Sequence, residues 1–94
     1  MRFEYKKESN IEIGQILYGI IADSRRTYGG VYKLIVYDID WNKEEAIFKV
    51  EQPCEFVSCD FYNMNRYVFE TEIEANNSIN RLDFGEGLFS FYWC

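Results

Sequence analysis

The chain has 94 residues, 48% hydrophobic and 28% charged, which excludes a disordered tail and fits one domain spanning 1–94. It contains no histidine, so Ser-His, Cys-His and His-metal chemistry are excluded at the outset. Sixteen acids against ten bases give a net charge of −6, the wrong sign for a domain that grips phosphates.

Residues 2–6 alternate and predict a short strand. Ser9-Asn10-Ile11-Glu12 has the form of a capping box, and Ile13, Ile16, Leu17, Ile20 and Ile21 recur at helical spacing, which predicts an N-terminal helix ended by Gly29-Gly30. Val31 to Ile39 predicts a well-buried strand, and Asp40 to Glu44 a turn. Glu45 to Glu51 alternates again, with Ala46, Phe48 and Val50 on one face. Pro53 interrupts it, and Cys54 to Asp60 reads as a further strand. Phe61 to Asn65 reads as a loop. Residues 67–74 read as a strand with Tyr67, Phe69, Thr71 and Ile73 on one side and Val68, Glu70, Glu72 and Glu74 on the other. Asn76-Asn77-Ser78 marks a turn, Gly85-Glu86-Gly87 closes a second hairpin, and Leu88 to Trp93 forms a final strand.

The fold class expected from this order is α+β, with one N-terminal helix packed on a curved antiparallel sheet of about five to seven strands. The order resembles that of cystatin-like and helix-grip folds, a resemblance that bears on architecture and transfers no activity.

The motifs that carry chemistry fall short. Gly14 and Gly19 have phosphate-loop spacing, but Ile20-Ile21 stands where Lys and Ser or Thr are needed. Asp38, Asp40 and Asn42 match the first positions of a calcium loop, but Lys43 replaces the required Gly and Lys49 the required Glu. Cys54, Cys59 and Cys94 form no zinc knuckle and have no histidine to activate them. The aromatics around Phe61, Tyr62, Tyr67 and Phe69 have Arg66 as their one base, too little for a nucleic-acid stacking platform. No catalytic residue, cofactor or metal is expected. No apolar run approaches the ~18 residues of a membrane span, and residues 1–8 lack the core of a secretory leader. The odd cysteine count agrees with a reducing cytoplasm.

Charge is unevenly distributed. Residues 1–49 carry eight acids and eight bases, and residues 50–94 carry eight acids and two bases. On the expected strand Glu70, Glu72 and Glu74 form a row with steps of roughly 7 Å, with Asp83 and Glu86 as neighbours. Such a row suits a basic surface on a larger protein, plausibly a channel that holds nucleic acid. Small size, acidity and the lack of catalytic motifs resemble phage-encoded inhibitors such as anti-CRISPR and anti-restriction proteins. That resemblance implies a non-enzymatic inhibitor acting by nucleic-acid mimicry on a nuclease or defence complex. Two other readings stay open. One is a small-molecule binder with an aromatic-lined cavity in which Arg25, Arg26 or Arg66 holds a ligand phosphate. The other is a subunit or homo-oligomer joined through exposed aromatics.

Overall fold

The computed structural model describes residues 11–22, 30–50, 55–79, 87–88 and 90–93. Its elements are β1 (Ile16–Ile21), β2 (Gly30–Asp40), β3 (Glu45–Val50), β4 (Glu55–Asp60), α1 (Phe61–Tyr67), β5 (Val68–Phe69), α2 (Glu72–Ile79) and β6 (Ser90–Trp93). The strands form one sheet in the order β5-β1-β2-β3-β4-β6, with every named pair antiparallel. The α+β class is therefore observed, while the cystatin-like order and the N-terminal helix are not.

The four-strand meander β1 to β4 has a period of two. Leu17, Leu34, Val36, Ala46, Phe48 and Val57 point inward and are buried. Register pairs Leu17 with Leu34, Val36 with Phe48, and Phe48 with Val57 in one layer. Near the end of β2 a bulge at Tyr37 shifts the register between Val36 and Asp38. The extra residue reverses the alternation: Ile39 turns inward against Ala46, and Asp38 and Asp40 turn outward.

Leu88 closes the sheet. Its N–H donates to the Ile20 carbonyl at 2.9 Å, and its carbonyl accepts from Ala22 N–H at 2.8 Å, in parallel with β1. Two residues further on, Ser90 pairs with Val57 of β4. Two residues span at most about 7 Å, so the β1 and β4 margins meet across this one segment and the sheet curls into a barrel. Gly87 makes the approach feasible. Its φ is +148°, and a Cβ there would lie 2.8 Å from Ala22 N and 2.9 Å from Ile20 O.

The predicted helix over residues 11–28 is where the structure differs most. Residues 16–21 are β1, preceded by a turn in which Gly14 has φ +90°. The isoleucines mimic a helical stripe because β1 is covered on both faces: Leu17 and Ile21 lie in the barrel interior, and Ile20 lies outside under α2, with Phe69 and Ala75. Ile13 is 66% exposed, the reverse of its expected burial. Ser9, the strand over residues 2–6, Arg25, Arg26, Gly29 and the hairpin segment at 81–86 lie outside the described residues.

The expected loop at 61–65 is α1. Asp60 caps it, its Oδ1 accepting from Asn63 N–H at 3.0 Å, and Phe61, Met64 and Tyr67 form its buried side. The expected strand at 67–74 and turn at 76–78 are instead the short β5 and then α2. Thr71 Oγ1 accepts from Glu74 N–H at 3.2 Å and donates to the Glu74 carboxylate at 3.1 Å, an N-cap that starts a helix where the alternation suggests a strand.

Candidate functional site

The expected row of Glu70, Glu72 and Glu74 does not form. Glu70 lies in a bend, and Glu72 and Glu74 lie in the first turn of α2, two residues and about 200° apart around its axis. At that place the positive end of the helix dipole favours them, and Glu74 is engaged in the cap. Asp83 and Glu86 lie outside the described residues.

A different set of carboxylates is brought together. Asp40 pairs in register with Glu45, and Glu45 pairs with Asp60, so three acids stand side by side across β2, β3 and β4. Adjacent strands are about 4.8 Å apart. All three side chains are exposed, as are Asp38 and Glu44 beside them. Like charges placed directly opposite one another oppose pairing, and among the described residues no ion pair neutralises them.

Local backbone chemistry holds the row. Asp40 Oδ1 accepts from Asn42 and Lys43 N–H at 3.0 and 3.1 Å, which fixes the hairpin as an Asx turn rather than a calcium loop. Glu44 closes the turn with φ 55°, a left-handed conformation unusual for glutamate, and its carbonyl accepts from Phe61 N–H at 2.8 Å. The ring of Trp41 meets Phe61 edge-on at 5.9 Å, so the hairpin tip is pinned against α1. Asp60 presents one oxygen to its own helix cap and keeps the other for solvent or a partner.

The acid row borders an apolar centre on the same outer face. Register places Ile35, Lys49 and Phe56 in one cross-strand row, with Ile47 in the next. Ile35, Ile47 and Phe56 are half-buried, and Tyr37, 57% exposed, packs edge-on against Phe56 at 5.1 Å. The outer face of β2–β3–β4 thus carries apolar side chains around Lys49 in the middle and carboxylates along one end.

Behind Asp60 lies Cys59, buried and unpaired. Burial, aided by the negative charges of Asp60 and Glu45, pushes its thiol well above the ordinary 9.0, so it is an inert core group rather than a nucleophile. A groove of about 460 Å³ opens at the same end, lined by Glu45, Ser58, Asp60, Asn63, Tyr67 and Leu88 among others. The barrel interior itself is filled by Leu17, Leu34, Phe48, Val57 and Met64. Arg66, one of the bases considered for a ligand phosphate, has its guanidinium 5.1 Å from the centre of the Tyr67 ring. Among the described residues, no group of acidic and cysteine side chains is placed to hold a metal, and no helix is long and apolar enough to cross a membrane. At the far end of β4, Glu55 faces inward, fully buried, and neither carboxyl oxygen has a hydrogen-bond partner among the described residues.

No protein-family model, curated protein or solved structure matches the chain.

The acid row was within reach of sequence reasoning through one signal. Asp40 and Glu45 flank the observed four-residue turn 41–44, whereas the expected turn begins at Asp40 and so leaves it out of the pairing. Charge counted by halves of the chain hid the pair, because both acids fall in the neutral half.

Proposed function

We propose that the protein is a non-enzymatic binding module whose outer β2–β3–β4 face docks on a basic surface of a larger protein. The observation that carries this reading is the in-register row Asp40–Glu45–Asp60 at the edge of a half-exposed apolar centre. Protein interfaces combine an apolar core with a polar rim, and this face has both within three strands. A carboxylate row at a cost to sheet pairing gains by meeting arginines or lysines, and it speeds encounter with a basic partner. Where that basic surface normally holds nucleic acid, the carboxylates compete with phosphates, which is inhibition by occupation.

The test is capture from a nuclease-treated lysate with three baits: wild type, D40N/E45Q/D60N, and E72Q/E74Q. The expected result is a basic protein retained by wild type and by the α2 variant, lost from the row variant, and released as salt rises. Equal capture by all three baits overturns the reading, as does loss from the α2 variant alone, which returns the site to the glutamates of the 70–74 segment.

A further inference from the structure

We propose that the groove beside the acid row is an anchor pocket for a single arginine side chain of the protein partner, an inference that rests on the docking reading above. The groove exists because barrel closure is incomplete. β6 pairs with β4 only as far as Val57, so Ser58, Cys59 and Asp60 run on beyond it. The gap between this stretch and Leu88 on the β1 margin is flanked by α1, which contributes Asn63 and Tyr67. The space of about 460 Å³ falls within the range of small-ligand sites.

Its chemistry selects a cation with several donors. Glu45 and Asp60 are cross-strand neighbours on its wall, with Cβ atoms about 5 Å apart. One Asp60 oxygen accepts from Asn63 N–H, and Glu45 and Asp60, both exposed, border the groove. Ser58 and Asn63, whose side chains are neutral and polar, also line it. A guanidinium carries five N–H donors in one plane and is weakly hydrated, so it serves two carboxylates at once and leaves water at lower cost than an ammonium. An anion is repelled by the pair, and an apolar group leaves both carboxylates desolvated without partners.

The experiment is a titration of the ¹⁵N-labelled full chain with Ac-Gly-Arg-Gly-NH₂, its lysine and citrulline counterparts, and spermidine, repeated on E45Q/D60N. Asparagine caps helices as well as aspartate does, so the double variant keeps α1, and its dispersed amide spectrum verifies the fold. The arginine peptide is expected to shift the amides of Glu45, Ser58 to Asp60 and Asn63, binding at least about fivefold tighter than the lysine peptide. Citrulline is expected to bind nowhere, and the double variant to lose roughly tenfold in affinity. Equal binding of arginine and lysine, tighter binding of spermidine, shifts spread over every acid, or undiminished binding by E45Q/D60N overturns the pocket. Should E45Q/D60N still capture the partner while D40N/E45Q/D60N does not, the pocket falls and the docking face stands. If both variants capture it, both fall.

Discussion

Glu45→Gln is expected to stabilise the fold, by an amount that salt tunes. Glu45 is opposed by Asp40 on one side and Asp60 on the other, with Cβ atoms about 5 Å apart. Two unit charges at that distance in water repel by about 0.8 kcal/mol. At 0.15 M salt, screening reduces this to about 0.4 kcal/mol for each pair. Removing the central charge relieves both pairs, so E45Q gains about 0.9 kcal/mol at 0.15 M, about 1.4 at 0.01 M and about 0.3 at 1 M. In a domain of this size the middle value raises Tm by about 4–7 °C. Urea unfolding followed by tryptophan fluorescence at the three salt concentrations measures it. E72Q is the control of opposite sign: Glu72 is favoured by the α2 dipole, so its neutralisation costs about 0.3–1 kcal/mol. A salt-independent E45Q, or one that destabilises, refutes the carboxylate row.

Gly87→Ala drives a Cβ into the β1 backbone and demands a φ that alanine avoids, so a loss of about 3 kcal/mol is expected in the same unfolding assay; a neutral result denies the close approach of this segment to β1. The Cys59 thiol is held protonated in the fold while the unfolded chain ionises near 9.0. Stability is therefore fully present below pH 9 and falls as pH rises above it, by about 1.4 kcal/mol at pH 10; subtracting the profile of Cys59→Ala isolates this term, and identical slopes sink it. Glu55→Met replaces a buried carboxyl that lacks hydrogen bonds among the described residues with an apolar group of similar length, and a gain of about 1–3 kcal/mol in denaturant is expected. A loss instead means that Glu55 has found a partner.

What could be read from the residues followed one rule: a strand with one wet face keeps its period. β3 is legible because Ala46, Phe48 and Val50 are buried while Ile47 and Lys49 are not, and its hairpin is legible because Asp40 and Asn42 are turn formers. β1 lost its period because α2 covers the outer Ile20 as the barrel covers Leu17. In α2 the run Thr71-Glu72-Ile73-Glu74 satisfies a strand alternation and an N-cap at once. Packing of Ala75, with Ile79 one turn on, against Ile20 and Phe69 decides for the helix, and no local pattern carries that contact. The acid row depends on Asp60 meeting Glu45 across a strand pairing, and on a bulge that turns Asp38 and Asp40 outward. Neither is encoded in spacing alone.

The segment from Gly87 to Trp93 touches two margins that lie far apart in the chain, one near residue 20 and one near residue 57. Contacts of such long range form late and slow folding. During synthesis the four-strand meander therefore emerges with the outer side of β4 unpaired and with β1 covered by β5 only at Tyr18 and Gly19, a template for pairing with other chains. The last stretch acts as a zip fastener: its arrival covers β4 and the remaining end of β1.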